Sequence, residues 1–280
     1  MIKDITIGQY FPFDSPVHRL DPRTKLLFTV VYIVAAFVSN NFVSLLFCFI
    51  VVCAVVAVSK IPLKTVIKGL RPILLIVIIT SLLQIAYIKT GVPLISFWKI
   101  NITSGGLLSA LFMALRISLL IVMSTMLTYT TSPTSLTNGL ERIFAPFKKI
   151  GIDFHTITMI MTIALRFIPT LIEETDKIMS AQKSRGANFE NGNIVKRAKA
   201  LVPIFIPLLF NSIRRAYELA NAMTCRCYNG GKGKTTMNPL KMSRRDYFAV
   251  ILTVLVIGGV IALNIFCGEY NAEFTFNAAV

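Results

Sequence analysis

Acidic residues are scarce in this 280-residue chain: 13 Asp and Glu stand against 29 Lys and Arg, and charged residues together make up only 15%. A soluble domain of this size rarely looks so, because nearly half its surface would have to be apolar. Histidine is nearly missing. His18 and His155 read as isolated, and the carboxylates form no cluster with a nucleophile or with zinc-ligand spacing. That leaves a membrane-embedded hydrolase without a nucleophile, base or metal set. The five cysteines have no regular spacing, which argues against a disulfide framework. Cys48, Cys53 and Cys267 lie in apolar runs, where cysteine acts as a small hydrophobe. The first 25 residues are polar, carry Pro12, Pro16 and Pro22, and lack an apolar core followed by a small-residue cut site, so no cleavable signal is expected.

What the chain has in abundance is apolar length. Hydrophobic residues make up 55% of it, and the mean hydropathy is +0.70. Several runs approach the length that crosses ~30 Å of hydrocarbon at ~1.5 Å per residue. The chain is therefore expected to be an all-α integral membrane protein. Five spans emerge, over 25–39, 42–58, 72–88, 107–131 and 247–267. Ser39, Asn40 and Asn41 make an uncharged tight turn between the first two.

The net charge of +16 could serve nucleic acid or a cytoplasmic membrane face. Eighteen of the 29 basic residues fall between 132 and 246, and most others cluster at the N-terminus and at 60–71. That distribution follows the positive-inside rule, and no nucleic-acid partner is expected. Lys60, Lys64, Lys68 and Arg71 put the end of the second span in the cytoplasm. The loop 89–106 carries only Lys89 and Lys99, and the tail after 267 has two acids and no bases. These charges place the N-terminus inside and the C-terminus outside, which requires an odd number of spans. Three segments follow: 1–131 with the N-terminal stretch and four spans, 132–246 on the cytoplasmic side, and 247–280 with the last span and an external tail.

The middle segment opens with Ser132-Pro133, a helix start with proline at the first position. Leu136, Leu140, Ile143, Phe144 and Phe147 recur at helical spacing, ending near Gly151. A second helix is expected from Asp153 to Arg185, bent at Pro169, with an apolar stripe from Ile157 to Ile178. A third runs from about Val202, with Pro203 and Pro207 near its start, to about Arg226. Arg166 breaks the apolar part of the second, and Arg214-Arg215 ends that of the third. Both read best as interfacial or buried helices, although two additional crossings forming a hairpin would keep the same parity. Glu173 with Lys177 and Arg214 with Glu218 are four apart and brace exposed faces.

The two long helices end alike. "IMSAQKSR" aligns with "LANAMTCR", setting Ser184 over Cys225 and Arg185 over Arg226. Gly186 after the first suits the left-handed position beyond a helix. An arginine in a last turn is favoured by the helix dipole alone. Two of them, similarly framed, also suit a bidentate grip on a carboxylate in a partner's groove. Cys225 and Cys227 are too few ligands for a metal site. "GGKGKTT" at 230–236 contains Gly-Lys-Thr, but Tyr228 stands where a phosphate-binding loop needs glycine. Arg116, about ten residues into the fourth span, either pins helices together or serves a transport path.

Four stretches carry a family resemblance: "GQYFPFDSPVHRLDPRTKL" at 8–26, "TTSPTSLTNGLERIFAPFKKIG" at 130–151, "ALRFIPTLIEETDKIMSAQKSRGANFE" at 164–190 and "RAKALVPIFIPLLFNSIRRAYELANAM" at 197–223. In them the chain resembles the transmembrane T component (EcfT-like, CbiQ-related) of energy-coupling factor importers, a branch of the ATP-binding-cassette transporters. The resemblance implies a non-catalytic subunit without cofactors, set in the cell membrane. Its implied partners are two ATPases and a small membrane-embedded substrate-binding (S) component, working in the uptake of vitamins or related micronutrients. In that family two Ala-Arg-Gly motifs at the ends of crossed coupling helices dock onto the ATPases. Carried over, they are Ser184-Arg185-Gly186 and Cys225-Arg226-Cys227. The second departs on both sides of its arginine: a thiol fills the small site and the glycine is lost, which leaves the local turn open. The apolar stripes exceed what one bundle needs, so Ile157, Ile160, Met161, Leu165, Phe205 and Leu208 are expected to meet the S component. A self-contained secondary transporter is the competing class. It would show internal repeats and broken or polar helices at mid-membrane, whereas the near-repeat here lies at helix ends.

Overall fold

The computed structural model describes residues 10–88, 93–97, 100–146, 154–187, 189, 194–228 and 242–277. Eight helices are described: α1 (Pro22–Val38), α2 (Phe42–Ser59), α3 (Leu63–Tyr87), α4 (Ser104–Thr130), α5 (Pro133–Phe144), α6 (Phe154–Ser184), α7 (Ile194–Cys225) and α8 (Arg244–Asn277). The all-α membrane class holds, with a small addition. Strands β1 (Pro93–Phe97) and β2 (Ile100–Thr103) form an antiparallel ribbon between α3 and α4. Thr103 ends the ribbon and starts α4: its Oγ1 accepts from the Gly106 amide at 3.2 Å and donates to the Ile88 carbonyl at 3.0 Å. A Cβ on Gly106 would meet that carbonyl at 2.9 Å, so glycine is required there.

Five described helices are long and apolar enough to cross a membrane: α2, α3, α4, α6 and the Arg244–Phe266 part of α8. Their number matches the sequence expectation, but their membership differs. Helix α1 has 17 residues and falls just short, clipped by the Ser39-Asn40 turn. Helix α6 qualifies because its first half holds a single formal charge, Arg166. Helix α7 begins at Ile194 rather than near Val202, so Pro203 and Pro207 lie inside it. Each proline forfeits a backbone bond. Extending a helix already formed is nonetheless easier than nucleating one afresh.

The chain divides into two compact units, one formed by Gly8–Gly139 with Leu240–Val280 and the other centred on Leu140–Pro239. The core of the first brings together Tyr32, Ala35 and Ala36 of α1, Cys48 and Val52 of α2, Met123 and Met126 of α4, and Val256 and Val260 of α8. Ala35 and Ala36 are completely buried, small enough to admit neighbouring helices closely. Tyr32 donates its hydroxyl to the Cys48 carbonyl at 3.1 Å. Helix α3 packs chiefly along α4 and leaves Leu75, Ile78 and Leu82 exposed.

Polar bonds tie the helix ends of this unit. Asp246, 2% exposed, accepts from the Asp21 amide at 2.7 Å and from the Thr24 hydroxyl at 3.2 Å. Its other oxygen accepts from the Ser243 amide at 2.7 Å, capping α8. Lys25, buried beside it, donates to the His18 carbonyl at 3.0 Å and the Thr130 carbonyl at 2.9 Å. One carboxylate and one ammonium thereby fasten the starts of α1 and α8 to the end of α4. At the other end, Asn264 donates to the Val38 carbonyl at 2.6 Å and accepts from the Asn40 amide at 3.2 Å.

Candidate functional site

The paired arginines sit in the second unit, one residue past the last helical residue of α6 and of α7. At the end of α6 the Ala187 amide bonds back to the Gln182 carbonyl at 3.0 Å, and the Gly186 amide to the Lys183 carbonyl at 3.0 Å. At the end of α7 the Tyr228 amide bonds to the Met223 carbonyl at 3.0 Å, and the Cys227 amide to the Thr224 carbonyl at 2.9 Å. These are the same two Schellman closures, with Arg185 and Arg226 at the same cap position. Gly186 takes φ 87, as its type allows. Cys227 takes φ 56, so the turn survives the loss of glycine and a side chain accepts the left-handed conformation.

Ser184, Arg185, Gly186, Cys225, Arg226 and Cys227 are all exposed. Neither arginine makes an ion pair with another described residue. Two exposed guanidiniums, without an ion pair among the described residues, thus stand at the ends of two long helices. The described residues hold no metal-ligating cluster at Cys225 and Cys227 or elsewhere. The Gly-Lys-Thr stretch 230–236 lies outside the described residues.

Two contacts fix how α6 and α7 pack. Arg215 forms an ion pair with Glu174, half-buried between the helices. Tyr228 donates its hydroxyl to the Met159 sulfur at 2.9 Å. Met159 precedes Glu174 on α6, whereas Tyr228 follows Arg215, in the turn just past the end of α7, so the helices run antiparallel. Glu174 and Arg215 are 41 residues apart, the same offset as Arg185 and Arg226. The ion pair therefore joins equivalent positions, each 11 residues from its arginine. At 1.5 Å per residue each arm is about 16 Å long, and the tips lie on opposite sides of the clamp, up to about 33 Å apart. The sequence alignment contained this offset, but it did not single out Glu174 and Arg215 as a pair.

His155 is not isolated: its Nδ1 lies 2.8 Å from Glu141 Oε1, joining α5 to α6. His18 likewise has a partner, the Ser15 hydroxyl at 2.6 Å. The Arg214–Glu218 brace forms at 3.2 Å on the exposed face of α7. Of the six apolar residues expected to meet a partner, Ile157, Ile160, Met161 and Phe205 are exposed, Ile160 by 59% and Phe205 by 62%. Leu165 and Leu208 are half-buried. All six are thus surface or near-surface apolar groups.

Arg116, in the other unit, has a structural occupation. Its guanidinium donates to the carbonyl of Ser39, the C-cap of α1, and lies 4.6 Å from the Phe112 ring centroid. A cation at a helix C-terminus is stabilised by the backbone dipole. This arginine pins α4 to the turn between α1 and α2.

Comparison with known proteins agrees with this architecture. A family model described as cobalt transport protein, CbiQ, matches residues 13–237. The chain is 48% identical over 258 residues to the energy-coupling factor transporter transmembrane protein EcfT of Clostridium kluyveri, covering 92% of this chain and 96% of that one. It is 47% identical over 262 residues to the protein of the same name from Thermosediminibacter oceani, with 93% and 98% covered. The Ruminiclostridium cellulolyticum EcfT is 46% identical over 264 residues, with 94% and 98% covered. With similarity running through both units and both arginine-tipped helices, the chain belongs to the energy-coupling factor transporter transmembrane protein (EcfT) family, within the CbiQ group.

Proposed function

We propose that this chain couples two cytoplasmic ATPases to a separate membrane-embedded S component in an importer of vitamins or related micronutrients. It carries no catalytic group of its own, and its partners hydrolyse ATP. The observation that carries the reading is the duplicated tip: two arginines in the same cap geometry, on opposite sides of one clamp. Duplicate tips on one chain suit a pair of like partners, each offering an acidic groove. Closure of the ATPases would draw the tips together, and helices held by the Glu174–Arg215 pair would shift as near-rigid bodies. The exposed apolar residues Ile157, Ile160, Met161 and Phe205, with Leu165 and Leu208 beside them, supply the surface that the S component reads.

In this reading segment 132–246 lies at the cytoplasmic face, the N-terminus is inside and the C-terminus outside. Labelling a cysteine placed at Gly192 from outside the cell would show α6 and α7 crossing instead.

Substitution of the tips tests the coupling. Truncating one partner of a partly desolvated arginine contact costs about 2–5 kcal/mol. Arg185→Ala or Arg226→Ala should release or uncouple the ATPases and depress uptake, with this chain inserted normally. Lysine should rescue only in part, because an ammonium cannot fork. If the arginines only cap helices, lysine works as well as arginine and the double alanine variant transports normally. Ile160→Glu or Leu208→Glu should detach the S component while the ATPases stay bound; loss of the ATPases first would refute that division. Mass spectrometry of the purified complex identifies the cargo.

A further inference from the structure

The unit formed by Gly8–Gly139 and Leu240–Val280 contains a cavity of about 940 Å³ that the coupling reading does not use. It is bounded by the start of α1, the last turns of α2 and α4, the first turns of α8 and the segment 14–20. Its walls are mostly apolar, with Phe28, Val55, Met126, Phe248 and Leu252 among them. The volume sits near the top of the roughly 300–1,000 Å³ typical of small-molecule sites. Along α8 the lining runs from Arg244 to Leu252, eight residue steps, or about 12 Å of the ~15 Å in one leaflet.

Apart from Lys25, the charges of the lining lie at one end. Arg19, Arg244 and Arg245 stand there beside a single acid, Asp14, which pairs with Arg19 at 3.4 Å. Arg244 and Arg245 are exposed and form no ion pair with a described residue. Farther in, Lys25 lines the wall and commits two of its three protons to the His18 and Thr130 carbonyls. A long apolar chamber with an arginine rim matches a molecule with hydrocarbon at one end and negative charge at the other. A soluble anion would leave the chamber unfilled. A zwitterionic lipid would bring a second cation to a cationic rim.

We propose that this cavity is a binding site for an anionic glycerophospholipid, with acyl carbon against Phe28, Met126 and Leu252 and the headgroup phosphate against Arg244 and Arg245. Bound there, the lipid would bridge α1, α2, α4 and α8 at the end where Asp246 and Lys25 already fasten α1 and α8 to α4.

The test is native mass spectrometry of the full chain, released from nanodiscs of equimolar phosphatidylglycerol and phosphatidylcholine with identical acyl chains. Phosphatidylglycerol should be retained preferentially. Removing two interfacial arginines, in Arg244→Gln/Arg245→Gln, should cut that preference by roughly 25-fold, about fivefold for each charge. Ala249→Phe, which adds a ring at a lining position, should lower retention of both lipids. Inorganic phosphate at millimolar concentration should not displace the bound lipid. Equal retention of the two lipids by the unaltered chain would overturn the proposal, as a cavity filled by a partner's apolar segment predicts. Unchanged preference in the glutamine variant, or displacement by phosphate alone, would overturn it too.

Discussion

The left-handed Cys227 offers a quantitative test of whether the turn after α7 sets the direction of Arg226. A side chain in that conformation costs roughly 1–2 kcal/mol. Glycine removes that cost but spends about 0.5–1 kcal/mol more chain entropy on folding. Cys227→Gly should therefore tighten the closure by about 0.5–1 kcal/mol net, reducing local opening about twofold to fivefold. Cys227→Val moves the other way, because a β-branched residue fits the left-handed region poorly. The spread between glycine and valine should approach ~2 kcal/mol, or about 30-fold in the opening equilibrium. Hydrogen exchange reads this directly, since the Cys227 and Tyr228 amides make the closing bonds to Thr224 and Met223. Cys227→Ala is the control for loss of the thiol and should behave like the unaltered chain. Uptake should follow the same order, with glycine at least as active as cysteine and valine impaired while Arg226 is still present. Equal exchange rates for glycine and valine would refute the strain argument. Full uptake by valine with a frayed turn would refute the claim that cap geometry aims the arginine.

Asp246→Asn should destabilise the chain by about 3 kcal/mol, because an amide nitrogen replaces one acceptor oxygen and the negative charge near Lys25 is lost; thermal unfolding in detergent measures it. Arg116→Met should cost about 1–3 kcal/mol by leaving the Ser39 carbonyl without its donor, with uptake per folded molecule unchanged. His18 is held below its ordinary pKa of 6.5, first by burial and then by the Lys25 charge. Its neutral form is thus favoured by folding, so its contribution is full above 6.5 and is lost as pH falls through the lower folded value; His18→Gln should flatten the fall in melting temperature between neutral and mildly acidic pH. A membrane-impermeant maleimide should modify the exposed Cys225 and Cys227 only from the cytoplasmic side and leave buried Cys48 unmodified.

The parts of this fold that were legible in the sequence are those written in local periodicity and charge. Apolar runs marked α2, α3, α4 and α8 to within a few residues at most ends. The shared frame around Arg185 and Arg226 marked two matching helix tips. What escaped depends on distance along the chain or on competing local signals. Nothing near Asp21 announces that its amide bonds to a carboxylate 225 positions away. Pro203 and Pro207 read as a start signal, yet the helix begins at Ile194 and carries them inside. His155 looked solitary because its partner, Glu141, belongs to the preceding helix. The missing glycine after Arg226 left the turn undetermined, and only backbone geometry shows that cysteine adopts it.

The fastening of α1 by α8 also sets a timetable for biogenesis. The Asp21 amide and the Asp246 carboxylate are 225 residues apart, and an entire unit, Leu140–Pro239, is encoded between them. At translation speeds of roughly 5–20 residues per second, about 10–45 s pass between synthesis of the two. During that interval α1 is already made while Val256 and Val260, which complete the packing against it, do not yet exist. The hairpin of α3 and α4, joined by its short ribbon, needs no such wait and can close as soon as it leaves the ribosome. A chain truncated before α8 would hold Lys25 without Asp246 and lack the Val256 and Val260 side chains that share a core with Ala35 and Ala36. Synthesis of α8 is thus the step at which the core of this unit can first close.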